Sequence, residues 1–251
     1  GGGVRVATKS AKPAPIVVLL HGVGATGAAW HEVAAELSRQ GVEVLAPDLP
    51  GHGEAAALAP YSVGALAVAV AAALPPGRPW CTAGHSLGGY VALALASGWF
   101  GSAPVAAVSL GAKLTFTESE RARAAEMAAR PARWFATRDE AVERYRRVVG
   151  LPASLVPNEA FLERGVRSGP DGYRLAHDPA AFAIIVPPFR ALLAAAVCPV
   201  FVVRGEHDTI VSRAECEELP APFEELTGLG HNPHVEAPAR TAALIARLLR
   251  R

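Results

Sequence analysis

Apolar positions in this chain of 251 residues fall into short continuous runs, set apart by longer stretches where Ala and Leu alternate with charged residues. The runs at 16–20, 42–46, 80–84, 105–110 and 199–204 have strand length. Their unbroken hydrophobicity predicts parallel strands covered on both faces. Between them, 28–40, 65–74 and 88–98 carry helical spacing. Strands alternating with helices predict an open, mostly parallel sheet with right-handed crossovers. Residues 4–6 are a candidate edge strand. Residues 223–226 are a further candidate, although Glu224 and Glu225 suit the interior of a sheet poorly.

The rhythm breaks over 112–186. This stretch is polar and rich in Arg and Glu, with expected helices at 119–129 and 138–149 and prolines at Pro131, Pro152, Pro157, Pro170 and Pro179. It holds no run resembling the sheet strands. The expected organisation is a core of 1–111 and 187–251, with 112–186 inserted as a mostly helical cover over the carboxyl edge of the sheet.

Composition narrows the classes. Hydrophobic residues make up 51% and charged residues 19%, and the formal net charge is +1. A well-buried globular protein fits this better than a disordered one; a nucleic-acid or membrane-surface role does not, because neither sign of charge dominates. The longest apolar stretch, 62–77, is Ala- and Val-rich and ends at Pro75-Pro76, so it reads as a core helix rather than a membrane span. No signal peptide is visible and the expected location is cytoplasmic; Gly1-Gly2-Gly3 at the start is compatible with a cloning scar or a removed leader. Cys81, Cys198 and Cys216 are odd in number and widely spaced, which predicts free thiols. No Cys-x-x-Cys is present, so neither a zinc ribbon nor a redox pair is supported. The composition leaves oligomeric state open.

The densest chemical signal is Gly84-His85-Ser86-Leu87-Gly88-Gly89. It follows a strand and opens a small-residue helix, the context that gives G-x-S-x-G its meaning. Such a bend forces its central residue into strained dihedrals and lifts the Ser86 hydroxyl above the sheet, at the positive end of the helix. A serine hydroxyl needs a base. His231, in the Gly-flanked loop Gly228-Leu229-Gly230-His231, is the preferred candidate, with His234 its competitor. The pair His231-x-x-His234 also has the look of a metal site, but no carboxylate at helical spacing completes it, and no metal is expected. The base needs an acid on its other nitrogen. Asp208 follows the strand at 199–204, where catalytic groups collect in such sheets; Glu206 is the alternative. The chain order Ser86, Asp208, His231 suits this architecture.

A rival reading rests on Gly22-Val23-Gly24-Ala25-Thr26-Gly27, which matches the dinucleotide fingerprint between a strand and a helix, with Asp48 where a ribose-binding carboxylate would stand. That would make the protein a nicotinamide- or flavin-dependent oxidoreductase. Against it, His21 crowds the turn, Asp48 runs into the tight loop Leu49-Pro50-Gly51-His52-Gly53, and Ser86, Asp208 and His231 go unexplained. The hydrolase reading uses the same glycines: the Val23 N–H, beside that of Leu87, forms an oxyanion hole. No cofactor is then needed.

With His21-Gly22 after a strand, the Asp48–Gly53 loop, the Ser86 elbow, Gly205-Glu206-His207-Asp208, and Gly230-His231 followed by Glu236-Ala237-Pro238, the chain resembles the α/β-hydrolase superfamily. The resemblance implies a mostly parallel sheet of about 7–8 strands flanked by helices, with a helical lid after the sixth strand. It implies Ser86, His231 and Asp208 as the triad, Val23 and Leu87 as oxyanion donors, and a shaping role for His21 and the Asp48 loop. Relatives of the dehalogenase and epoxide-hydrolase types use Asp at the elbow, unlike Ser86. Carbon–carbon hydrolases commonly carry Trp after the histidine, where this chain has Asn232. Perhydrolases often have Met where this chain has Leu87. Ester, thioester or lactone cleavage of a small to medium apolar substrate is the expectation, with carbon–carbon cleavage or other non-ester chemistry on the same triad the alternative. Trp134, Phe135, Phe161, Phe182 and Phe189, together with Tyr173, are the aromatic candidates to line the substrate cavity.

Overall fold

The computed structural model of the protein describes residues 15–250. Eight strands follow one another along the described chain: β1 (Ile16–Leu20), β2 (Val44–Leu45), β3 (Trp80–His85), β4 (Ala107–Leu110), β5 (Val166–Gly169), β6 (Gly172–Leu175), β7 (Val200–Gly205) and β8 (Phe223–Leu226). Six of them form one sheet in the order β2-β1-β3-β4-β7-β8, and every neighbouring pair in it is parallel. The open parallel sheet expected from the apolar runs is therefore present. The candidate strand at 4–6 lies outside the described residues. Among the described residues the main sheet has six strands rather than seven or eight, and the inserted segment follows the fourth of them.

Successive residues of β1 point to opposite faces of the sheet. Ile16, Val18 and Leu20 pack on one side with helices Val63–Ala73, Leu87–Ala96 and Phe189–Ala195. Val17 and Leu19 pack on the other with helices His31–Arg39 and Pro238–Leu248. Both faces are covered, which is why these strands tolerate no polar alternation. The apolar stretch around 62–77 forms the helix Val63–Ala73; Ser62 caps it by accepting the Ala65 N–H at 3.1 Å. No helix among the described residues is long and apolar enough to cross a membrane.

Strand order reverses at β1: the chain passes from β1 to β2 on one flank, then returns to β3 on the other. The helix after β1 lies on one face of the sheet and the helix after β3 on the opposite face. Their connecting loops part at the carboxyl ends of the two strands and leave a crevice, the usual place for a ligand in such sheets.

The segment between β4 and β7 contains the expected helices, at Glu118–Ala128 and Arg138–Val148. Each opens with a capping box, Thr117 with Glu120 and Thr137 with Glu140, which satisfies two backbone donors that the first turn leaves free. The segment has no apolar run like those of the sheet strands, but it is not all helical: β5 and β6 pair as a separate antiparallel hairpin across Pro170-Asp171. A third apolar cluster, including Tyr145, Leu151, Phe161 and Leu175, packs this segment onto Ala25 and Ala29 of the core.

Candidate active site

Ser86 stands between β3 and the helix Leu87–Ala96 with φ 52° and ψ −113°. It is the only non-glycine residue with positive φ among the described residues. Sterics disfavour that conformation for a side-chain-bearing residue, so the surroundings must enforce it. Two glycines allow the bend. A Cβ on Gly84 would lie 1.9 Å from the Gly88 carbonyl oxygen, and one on Gly88 would lie 2.2 Å from that of Leu20. The Ser86 N–H is tied to the Leu110 carbonyl at 2.8 Å, which anchors the bend to β4.

The N–H groups of Val23 and Leu87 have no hydrogen-bond acceptor among the described residues. Leu87 begins a helix, where the first amides lack intrahelical partners and the dipole favours negative charge. The Val23 loop is braced from behind by His21. Its Nε2 accepts the Leu49 N–H at 2.8 Å and its Nδ1 donates to the Gly22 carbonyl at 2.8 Å, which fixes a neutral tautomer. Burial lowers its pKa to about 3, with His52 adding to the effect.

The Asp208 loop follows β7. One carboxylate oxygen accepts the N–H groups of Ile210 at 2.8 Å and Val211 at 3.2 Å; the other lies 2.9 Å from His231 Nδ1. Arg204, itself buried, donates to the carbonyls of Asp208, Val211 and Glu206 at 2.8, 3.0 and 3.2 Å and is paired with Glu225. This clamp shapes the loop that carries the acid. Glu206, the alternative acid, instead accepts the Gly228 N–H at 2.6 Å.

His231 is held by its neighbours. The two oxygens of Glu236 accept the N–H groups of Gly230 at 2.7 Å and Asn232 at 2.9 Å, one on either side of the histidine. His85 Nε2 donates to the His231 carbonyl at 2.8 Å. Asn232 donates to the carbonyls of Val149 and Gly150, both at 3.1 Å, tying this loop to the inserted segment. His234, the competitor, is buried against the Trp30 ring at 4.5 Å, and its Nδ1 has no hydrogen-bond partner. Burial and the nearby His231 lower its pKa to about 3. His85 is likewise held well below its ordinary value, by burial and then by His234 and His231.

Ser86, Val23, His85, His231 and Phe161 line one cavity of about 150 Å³. The other aromatic candidates lie elsewhere. Phe135 and Phe182 line a neighbouring cavity, and Trp134 lies in an open cleft beside Arg133 and Arg147. Tyr173 pairs with Phe135 through its backbone. Phe189 is buried in the core, edge-on to Tyr90 at 5.5 Å. Asp48, the candidate ribose ligand, is already engaged: it accepts the N–H groups of Gly27 at 2.7 Å and Glu54 at 2.9 Å and pairs with Arg164 at 3.2 Å. No group of three or more His, Cys, Asp or Glu among the described residues is placed to hold a metal ion.

Sequence reasoning missed Glu236 as a clamp, Arg204, and the tie from Asn232 to the inserted segment. All three lay in stretches already singled out, Arg204 in the strand run 199–204, Asn232 after the histidine and Glu236 in Glu236-Ala237-Pro238, but none was given its supporting role.

The family model described as "Alpha/beta hydrolase family" matches residues 17–244. The chain is 31% identical over 256 residues to 2-succinyl-6-hydroxy-2,4-cyclohexadiene-1-carboxylate synthase of Enterobacter sp. (strain 638), covering 97% of this chain and 95% of that protein. It is 34% identical over 205 residues to a pimeloyl-acyl-carrier protein methyl ester esterase of Methylococcus capsulatus, covering 78% of each. Among solved structures, the thioesterase domain from the curacin biosynthetic pathway shares the fold with a TM-score of 0.76 at 24% identity, covering 93% of this chain and 91% of that one.

Proposed function

This chain belongs to the alpha/beta hydrolase family, and on that premise we propose that it cleaves carboxylic esters, thioesters or lactones through an acyl-enzyme on Ser86. The observation that carries the reading is the pairing of His231 with Asp208 at 2.9 Å, in a loop whose imidazole faces the same small cavity as the strained Ser86. In this reading His231 takes the Ser86 proton as the hydroxyl attacks the carbonyl. Asp208 holds the ring in the tautomer that leaves the other nitrogen free and stabilises the imidazolium. The free N–H groups of Val23 and Leu87 receive the oxyanion; losing one such donor costs about 10²–10³ in rate. His231 then protonates the leaving alcohol, and water clears the acyl group by the reverse sequence. The core is 1–111 with 187–251, and 112–186 acts as the lid that shapes the pocket.

The likeness to the synthase over 97% of the chain favours a second reading, in which the same three side chains work on a bond other than an ester. The test is Ser86→Ala assayed with p-nitrophenyl butyrate, with mass spectrometry of the wild type after a serine-reactive phosphonate. A fall of roughly 10⁴-fold or more and a single adduct on Ser86 are expected. Unchanged turnover in the variant would overturn the proposal.

A further inference from the structure

The segment 112–186 encloses a second cavity, of about 340 Å³, whose wall includes Arg130, Arg133, Arg144, Val148, His177 and Phe182. No Asp or Glu lines it. Elsewhere in the segment five arginines are paired among the described residues, Arg138 with Glu159, Arg146 and Arg147 with Glu143, Arg164 with Asp48, Arg167 with Glu54, while Arg121 and Arg123 are not and Arg174 stands over the Trp134 ring. By contrast, none of the three around the cavity has a carboxylate within ion-pair distance among the described residues. Arg133 is set over the Phe135 ring at 4.8 Å, which limits where its guanidinium can go. In the same wall, the Nδ1 atom of His177 is buried without a hydrogen-bond partner. Three like charges around one half-open cavity repel each other, and a bound anion relieves that repulsion while supplying acceptors to their forked donors.

The cavity adjoins the one at Ser86. Val148 lines both. The partition continues through Gly24, where a Cβ would lie 2.8 Å from Val148 Cγ1 and 3.4 Å from Phe182 Cζ. Val148, with Gly24 and Phe182 beside it, thus stands between the elbow and the arginines.

We infer that the substrate carries an anionic group, carboxylate or phosphate, which Arg130, Arg133 and Arg144 bind while the reacting carbonyl lies at Ser86. The position of the carbonyl rests on the ester-cleavage reading above; the anion site does not. The guanidinium groups are exposed, so the attraction is screened by salt.

Two matched substrate pairs test this, both normalised to uncatalysed hydrolysis. Mono-p-nitrophenyl adipate against p-nitrophenyl hexanoate places the charge on the acyl side. 4-Carboxyphenyl hexanoate against phenyl hexanoate places it on the alcohol side. At low ionic strength, one anionic member is expected to exceed its neutral partner by about tenfold in kcat/KM, the worth of one good charge-assisted hydrogen bond. That ratio should collapse in Arg130→Gln/Arg133→Gln/Arg144→Gln, partly in Arg144→Gln alone, and in high salt. A wild type that turns over the neutral esters without preferring either anionic one overturns the inference, as does a preference that survives the triple substitution. Calorimetric binding of adipate and of hexyl phosphate to Ser86→Ala is independent of turnover. Binding lost with the three arginines supports the site even if no ester is cleaved, and the tighter ligand names the anion. Binding of neither overturns it.

Discussion

The carboxyl edge of the sheet and the segment lying above it are built on opposite plans. At the sheet edge, carboxylates from Asp48, Asp208 and Glu236 are spent on backbone N–H groups of the loops they support, most of them at least partly buried. In the segment 112–186, Glu120 and Glu140 cap the helices they begin, but Glu159 and Glu143 face arginines at the surface, Arg138 with Glu159 at 2.7 Å and Arg147 with Glu143 at 2.9 Å. The first plan fixes main chain, because a buried amide that loses its partner costs about 1–3 kcal/mol. The second leaves main chain adjustable, because an exposed ion pair is worth roughly 0–1 kcal/mol. Under the proposed function, a reacting serine needs the first kind of support and a cover that must admit substrate needs the second.

The contrast can be broken most severely at Gly88. Its Cβ in Gly88→Ala would meet the Leu20 carbonyl oxygen at 2.2 Å, backbone against backbone. A loss of roughly 4 kcal/mol or more is expected, seen as a collapsed melting temperature or insoluble protein. An alanine variant with wild-type melting would mean the edge has slack. Next in size is Asp208→Asn. It keeps the shape of the side chain but not its charge, and kcat should fall by about 10³–10⁴ with the fold retained by circular dichroism.

Acid titration separates the two regions by a different route. His21, His52, His85 and His234 at the sheet edge, and His177 in the segment, all have pKa values lowered from 6.5, chiefly by burial. The unfolded chain binds these protons near pH 6.5 and the folded one does not, so stability is full above that pH. It is lost as pH falls toward the folded values of about 3 for His21 and His234 and about 4 for His177. Each buried histidine contributes a slope of about 1.4 kcal/mol per pH unit in that window. Thermal melts from pH 8 down to pH 5 should therefore fall steeply below about pH 6.5, and His234→Phe should flatten the slope. A melting temperature independent of pH across that range would contradict the neutral state assigned to these rings.

Asn232→Ala removes the two bonds that join the histidine loop to the carbonyls of Val149 and Gly150. A destabilisation of about 1–3 kcal/mol is expected, with faster hydrogen exchange over both loops. Smallest of all, Arg138→Ala should change the melting midpoint by less than about 1 kcal/mol in equivalent stability. A larger effect would mean the surface pairs of the segment carry more than the comparison allows.

The plan that a region follows also decides how readable it is in the sequence. β1, β3, β4 and β7 follow from apolar runs because burial on both faces leaves no other composition open to them, whereas the edge strand β8 keeps Glu224 and Glu225. At the edge of the sheet β2 shrinks to Val44–Leu45, where pairing on a single side needs fewer residues than the run 42–46 offers. The hairpin of β5 and β6 carries no apolar run, since Val166-Arg167-Ser168-Gly169 and Gly172-Tyr173-Arg174-Leu175 are half exposed; its signal was the turn sequence Pro170-Asp171-Gly172. At the site, the elbow was legible from local glycine spacing. The Glu236 clamp was not, because its meaning depends on which amides a distant fold brings within reach. For the same reason Phe189 and Phe161 look alike in sequence and part in space, one under Tyr90 and the other beside Ser86.

The bracing of residue 231 by a single carboxylate on both flanks has a mechanical result. With its main chain pinned like an axle at both ends, the imidazole keeps torsion about its own side-chain bonds as its remaining freedom. In the proposed mechanism, handing a proton from one partner to the next then takes a rock of the ring and no travel of the loop. The slow, solvent-viscosity-sensitive part of a catalytic cycle would fall to the arginine-rich canopy overhead.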